Sequence, residues 1–142
     1  MNLDYLNEQF RLLKEYLRRV RSIAHRSKTE FLGDVILVDA AIRELTVLYE
    51  TAHNIAKHLI KERGWKVAKS KAEAFEILHQ NGVLTSELCE AFRQASRFRN
   101  LVTYQTPMID NDVVYDIVAE RLSDFEEFAS CVSGWIERNP GG

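Results

Sequence analysis

Apolar residues recur every three or four positions in helix-length segments of this chain. A first helix is predicted over about residues 3 to 25. Its apolar face consists of Leu6, Phe10, Leu13, Leu17, Val20 and Ala24. Ser27 and Glu30 have the spacing of a capping box and predict the start of a second helix, which Gly64 should end. The long three-four pattern of that helix consists of Val35, Val38, Ile42, Leu45, Tyr49, Ala52, Ala56 and Leu59.

Three further helices are predicted in the second half. Ser70 begins a short one in another capping box, and Asn81-Gly82 ends it. Thr85 or Ser86 can cap a fourth helix, which the break at Pro107 follows. Asp110 or Asp112 can cap the fifth helix. The apolar stripe of this fifth helix consists of Val114, Ile117, Val118, Leu122, Phe125, Phe128, Val132 and Trp135.

The periodicity therefore predicts an all-α fold, because no strand pattern and no internal repeat interrupts it. We expect an antiparallel up-down bundle of four main helices plus a short helix. Residues 1–138 should form a single domain, and residues 139–142 a disordered tail.

Composition narrows the class of protein. The 142 residues are 46% hydrophobic and 28% charged, as in an ordinary globular domain. The net charge of -2 gives no overall attraction to nucleic acid, so any anion site must come from local clustering. Two cysteines without paired spacing and the absence of a signal or membrane-spanning segment predict a cytoplasmic protein that does not enter a membrane.

The fourth helix carries an arginine where its apolar stripe requires a hydrophobic residue. Leu88, Phe92, Ala95 and Val102 define the stripe, and Arg99 occupies the remaining core-facing position. Moving an unpaired guanidinium out of water costs roughly several kcal/mol. We therefore expect Arg99 either to form a structural ion pair or to line an anion-binding site.

A second polar face adjoins Arg99. Arg93, Arg97, Asn100 and Tyr104 follow one another at steps of four, three and four residues, which places them on one side of the helix. Arginines beside a carboxamide can bind phosphate or carboxylate through paired hydrogen bonds. Alternatively, acidic residues neutralise these arginines within the bundle or across a dimer, the candidates being Glu44, Glu50 and Asp116.

Other polar residues favour structural interpretations. His53 and His58 lie roughly 140° apart around a helix, so they cannot share a zinc ion, and no metal site is predicted. A basic run near the end of the second helix could attract phosphates, but Glu62 and Glu73 interrupt it, which favours a solvated surface. The run consists of Lys57, Lys61, Arg63, Lys66, Lys69 and Lys71.

Four pieces of the chain, taken together, resemble a known family. They are residues 72–78 (AEAFEIL), residues 81–84 (NGVL), Phe98-Arg99-Asn100, and residues 109–115 with Ile109-Asp110 and Val114-Tyr115. In order and spacing they are similar to the HepT-like HEPN proteins (higher eukaryotes and prokaryotes nucleotide-binding) over about residues 35 to 130. The resemblance implies a small all-helical homodimer. Many members are toxins of toxin-antitoxin pairs and act as ribonucleases without metal or cofactor, silenced by MntA, a nucleotidyltransferase that adds AMP to a tyrosine.

The resemblance fails at the family's active motif, which is arginine, four to six residues, histidine, any residue and tyrosine. An ungapped alignment on Phe98-Arg99-Asn100 puts Tyr104 at the histidine position and Thr106 at the tyrosine position. A shifted register, Arg97 to Val102 to Tyr104, restores the tyrosine but not the histidine. Acid-base catalysis contributes roughly 10²- to 10⁴-fold, and tyrosine in general ionises with a pKa near 10 rather than the 6.5 of histidine. We therefore expect catalysis to be weak or lost.

Two functional hypotheses follow. In the first, the chain is an RNA-cleaving toxin in which Arg99 binds the scissile phosphate, Asn100 and Tyr104 replace the histidine, and Arg93 and Arg97 bind RNA. In the second, it is a non-catalytic HEPN module that binds a nucleotide or a nucleotidyltransferase partner. In both, Tyr104 is the candidate AMP acceptor, and a homodimer brings two arginine faces together. A plain helical adaptor with a buried Arg99 ion pair stays open.

Overall fold

The computed structural model describes residues 3–104 and 109–140, and these residues form seven helices and no strand. The helices are α1 (Leu3–Ala24), α2 (Lys28–Leu32), α3 (Val35–Arg63), α4 (Lys71–Gln80), α5 (Ser86–Tyr104), α6 (Asn111–Glu120) and α7 (Ser123–Arg138). The all-α helical bundle predicted from periodicity is therefore confirmed. The expected break at Pro107 and the last two residues of the expected tail lie outside the described residues.

α3 is the central helix of the bundle and contacts each of the other six. Its buried face follows the predicted stripe except at the start, where Val35 is 71% exposed. Aromatic rings from α4, α5 and α7 meet against it: Phe75 stacks on Phe92 with ring centroids 4.5 Å apart, and Phe128 packs edge-on against Phe75 at 5.8 Å. This cluster fixes α5 relative to α3, which matters because both helices carry the charged residues discussed below.

The prediction of one uninterrupted second helix is wrong. The chain leaves the helix after Leu32 and restarts at Val35, because Asp34 adopts an extended conformation with φ of -121°. The Asp34 carboxylate accepts hydrogen bonds from the backbone N–H groups of Ile36 at 3.0 Å and Leu37 at 3.2 Å. These two N–H groups have no carbonyl partner at the start of a helix, so an acidic cap there stabilises a new helix.

The predicted final helix is also two helices. α6 ends at Glu120, where Arg121 departs from helical geometry with φ of -112° and ψ of 0°, and α7 begins at Ser123. Leu122 and Phe125 are both buried, so the apolar stripe runs on across the break. Periodicity alone therefore could not reveal it.

The remaining helix boundaries agree with their predicted caps. Ser70 accepts a hydrogen bond from the backbone N–H of Glu73, and Gly64 ends α3 in the left-handed conformation with φ of 67°. Of the alternatives left open, Thr85 caps α5 through a 3.1 Å hydrogen bond from the N–H of Leu88, and Asp110 caps α6. These caps fix where α5 begins and so which of its side chains face the bundle.

Candidate functional site

α5 is anchored through its first three turns. Its buried residues are Leu88, Cys89, Phe92 and Ser96. The sequence predicted that Ala95 faces the core at this turn, but the neighbouring Ser96 is the buried residue and Ala95 is half-buried. The Ser96 hydroxyl forms a hydrogen bond with the hydroxyl of Tyr49 on α3. Arg99 follows Ser96 by one turn and continues the same face.

Arg99 forms an ion pair within the chain. Its side chain is 22% exposed, and its Nε donates to Oε1 of Glu50 on α3 at 2.9 Å. Lys71 at the start of α4 donates to both oxygens of the same carboxylate at 2.5 Å. Burial raises the pKa of Glu50, but hydrogen bonds and charges from Lys71 and Arg99 outweigh it and hold that pKa below its ordinary value. Glu50, one of the three candidate acids, is therefore the partner.

The same arginine also borders a cavity of about 400 Å³ between α3, α5, α6 and α7. Phe92, Phe98 and Val113 contribute to a largely apolar wall, and the charged lining residues besides Arg99 are Asp116, Glu120, Asp124 and Arg121. Of the three nitrogens of the Arg99 guanidinium, Nε donates to Glu50. The two terminal amino groups of Arg99 form no hydrogen bond to any residue within 3–104 or 109–140. The two alternatives for Arg99 are thus combined: it is paired, and it stands at a cleft.

Of the other two predicted phosphate-binding arginines, one forms ion pairs with acidic residues and one does not. Arg93 is held by Glu76 at 3.3 Å and by Glu90, two acids that were not among the candidates. Arg97 and Asn100 are exposed, and Arg97 has no ion pair with any described residue. Arg97 is therefore the freer cation on this face.

The structure does not bring Arg99 and Tyr104 together within one chain. α5 runs unbroken to Tyr104, so the two residues, five apart, lie roughly 140° around the helix from each other. Tyr104 is 76% exposed and shares the outer face with Arg97 and Asn100. Thr106, the other motif position, lies outside the described residues.

A second group of polar residues surrounds another cavity, of about 610 Å³, beside the end of α3. His53, Lys57, Lys61, Lys69 and Lys71 line it. Burial, followed by the charges of Lys71 and Lys57, lowers the pKa of His53 to about 4, so its ring is neutral at pH 7. His53, Lys57 and Lys61 follow one another at steps of four residues, which was the sequence signal for this cavity. Glu62 and Glu73, which interrupt the basic run, obscured that signal.

Over residues 3–104 and 109–140, no cluster of His, Cys, Asp and Glu side chains is arranged to hold a metal ion. The helices of the same ranges include none with the length and hydropathy needed to cross a membrane.

An all-helical fold is what the HepT-like resemblance implied, and comparison with known proteins agrees. Residues 13–132 match the family described as ribonuclease HepT-like. The chain therefore belongs to the HepT-like family.

Individual relatives share the fold at low identity. The mRNA nuclease HepT of Shewanella oneidensis is 23% identical over 129 residues, which cover 91% of this chain and 96% of that protein. A tri-AMPylated HEPN toxin of Shewanella oneidensis, solved in complex with an MNT antitoxin, has a TM-score of 0.87 at 24% identity and covers 94% of this chain and 99% of its own. YutE of Bacillus subtilis, a cytosolic protein of unknown function, has a TM-score of 0.83 at 15% identity and covers 100% of this chain and 95% of its own.

Proposed function

We propose that this protein is a toxin-type, metal-independent endoribonuclease in which Arg99 binds the scissile phosphate. The observation that carries the proposal is the geometry of Arg99: Glu50 occupies Nε, while the two terminal amino groups stand at a cleft without a hydrogen bond to a described residue. A phosphate can accept from two guanidinium nitrogens at once, and charge that develops on it during cleavage strengthens those bonds. The HepT-like family supplies the reaction class.

Turnover should be slow. None of the described residues that line the Arg99 cavity is a histidine. Tyr104 and Asn100 are proposed to take its place, and Arg97 and Arg93 to hold neighbouring phosphates. Because Tyr104 lies on a different face of α5 from Arg99, we propose that the site is completed in a homodimer, where α5 of a second copy supplies the outer face.

The proposed partner is a nucleotidyltransferase antitoxin of the MntA kind, acting in the cytoplasm. Its target would be Tyr104, whose 76% exposure at the end of α5 makes its hydroxyl accessible for transfer of AMP. The similar Shewanella toxin is described as AMPylated and bound to an MNT antitoxin, which supports this assignment. AMP on Tyr104 would place a bulky anion beside Arg97 and compete with RNA.

Incubation of the purified protein with total cellular RNA tests the nuclease. Wild type should yield fragments in the presence of EDTA, and Arg99→Ala should reduce the rate by roughly 10²- to 10³-fold, the usual loss when one donor to a developing oxyanion is removed. Arg43→Ala is the matched control, because Arg43 is exposed and has no ion pair with a described residue. Intact RNA after prolonged incubation with wild type would refute the nuclease.

The second candidate is a non-catalytic module that binds a nucleotide or the antitoxin. The separation of Arg99 from Tyr104 around α5 favours it, because the proposed substitute for the histidine does not stand beside Arg99 within one chain. Co-expression with the antitoxin partner and ATP should then give a stable complex and an AMP mass shift that Tyr104→Phe abolishes, while RNA stays intact. A partner that neither co-purifies with the protein nor modifies it would rule this candidate out.

A further inference from the structure

The cavity of about 610 Å³ lies where α3 ends and α4 begins. Its lining comes from the last turns of α3, from the connection that follows Gly64, and from the first turn of α4 after Ser70. Its volume falls within the range of about 300 to 1,000 Å³ typical of small-molecule sites. Neither the nuclease proposal nor the antitoxin proposal uses it.

Three of its four lysines are uncompensated. Lys71 is paired with Glu50, but Lys57, Lys61 and Lys69 form no ion pair with any residue of the described ranges. Lys57 and Lys61 are one turn apart on α3, and Lys69 approaches from the connection. Three positive charges around one concave surface, without carboxylates, favour an anion of more than one charge.

The acids that interrupt the basic run in the sequence are engaged elsewhere. Glu73 lies 3.5 Å from Lys66, and Glu62 lies 3.6 Å from the ring of His58. Neither carboxylate lines the cavity. Because these acids interrupt the run, the sequence favoured a solvated surface, but the fold places both acids outside the cavity lining and leaves that lining basic.

The remaining wall is apolar and includes an aromatic ring. Trp65 and Ala68 line the cavity, and Val67, which also lines it, is 82% exposed. Trp65 packs edge-on against Trp135, with the ring centroids 5.4 Å apart. An aromatic face beside lysines is the arrangement by which proteins bind single-stranded nucleic acid, with the base against the ring and the phosphates on the cations.

One carboxylate links a lining residue of the lysine cavity to Arg99. Lys71 lines the cavity, and its ammonium group and the guanidinium of Arg99 both contact Glu50. The two cations are therefore held on the same carboxylate, one at each binding region.

We propose that the lysine cavity binds a nucleotide of single-stranded RNA next to the phosphate held by Arg99, with its phosphate on Lys57, Lys61 and Lys69 and its base against Trp65. The inference rests on the proposed function, since it takes RNA as the substrate. The cavity would hold the substrate strand, and Arg99 would contact the bond to be cleaved.

The test compares two triple variants of equal charge change. Lys57→Gln/Lys61→Gln/Lys69→Gln removes the cavity lysines, and Lys14→Gln/Arg26→Gln/Arg43→Gln removes three exposed cations that do not line the cavity. Binding of a fluorescein-labelled single-stranded RNA of roughly 12 nucleotides is followed by anisotropy as a function of salt. Each phosphate contact contributes about 0.7 to the slope of log K against log salt.

The cavity variant should bind at least about tenfold more weakly than wild type, with a slope smaller by about 2, while the control triple changes little. In a Trp135→Phe background, where Trp65 is the remaining tryptophan, quenching of its fluorescence by the unlabelled RNA should be lost in the same variant. Thermal denaturation of both variants checks that they fold. Equal losses in the two triples, or RNA binding by neither wild type nor variants, would overturn the inference.

The outcome also separates this inference from the nuclease proposal. If Arg99→Ala abolishes cleavage but the cavity variant binds RNA like the control, the nuclease stands and the cavity proposal falls. If the cavity variant loses RNA binding but wild type never cleaves, the cavity stands and the nuclease falls. Quenching of Trp65 by ATP but not by RNA would overturn the RNA assignment in favour of a free nucleotide.

Discussion

At the scale of single residues, Glu50 organises the charged groups of this protein. It holds Lys71 at 2.5 Å and Arg99 at 2.9 Å, so one carboxylate orients a cation from each of two different helices. The sequence identified Arg99 as out of place in an apolar stripe, and that position proved to be only partly buried. It could not select Glu50 among the candidate acids, because the two residues are 49 positions apart and meet only in the folded bundle.

His53 makes stability depend on pH. Burial, then the charges of Lys71 and Lys57, lowers its pKa from 6.5 to about 4, so between those values the unfolded chain binds more protons than the folded one. The free energy of unfolding should therefore be fully retained above about pH 6.5 and fall as pH is lowered toward 4. His53→Gln should flatten this dependence when urea unfolding is measured at pH values from about 5 to 7.

The pH range in that experiment is chosen to isolate His53. Glu50 has a lowered pKa, so its contribution is lost only below the ordinary value of 4.5. His25→Gln is the control, because His25 is exposed. A pH dependence that His25→Gln flattens as much as His53→Gln does would contradict the assignment.

At the scale of elements, periodicity predicted where helices lie better than where they break. The buried faces of α1, α3 and α5 were largely predictable, since each repeats an apolar residue every three or four positions. The breaks at Asp34 and Arg121 were not predictable. The capping box at Ser27 indicated one helix that continues into the stripe of α3, and the apolar stripe of α6 continues in α7. Asp34 carried a usable signal as an N-cap residue, but a second capping residue so soon after Ser27 is easily taken for part of the same helix.

Replacing Asp34 should show how much its capping hydrogen bonds contribute to the free energy of unfolding. Asp34→Ala leaves the N–H groups of Ile36 and Leu37 without their acceptor, so the free energy of unfolding should fall by about 1 kcal/mol. Asp39→Ala, at an exposed position inside α3, should leave stability unchanged or raise it slightly, because alanine is the better helix former. Urea denaturation compares the two. Similar values for both variants would mean that the cap does not hold the start of α3.

At the scale of the whole molecule, α3 connects both candidate binding regions. It contributes Glu50 to the Arg99 pair and His53, Lys57 and Lys61 to the lysine cavity, and it contacts every other helix. A net charge of -2 gave no hint of a polyanion ligand, because the cations are gathered near one end of α3 and along α5. The family could be recognised from sequence, whereas the lysine cavity required the fold, since Lys69 and Lys71 join it from outside α3.

Dimerisation in which α5 of one copy lies beside α5 of the other should become tighter as salt is raised. A two-fold axis there brings Arg97 of one copy toward the same cationic face of the other, while Phe98 and Val113 beside it offer apolar surface to bury. Like charges oppose association, so raising salt should tighten the dimer, and Arg97→Gln should tighten it roughly two- to fivefold at low salt. Sedimentation equilibrium measures both effects, with Arg43→Gln as the matched control on α3. Equal dissociation constants for Arg97→Gln and Arg43→Gln would mean that the two arginine faces do not meet. The same would follow if wild type stayed monomeric at all concentrations. In either case Tyr104 could not complete the Arg99 site from a second copy.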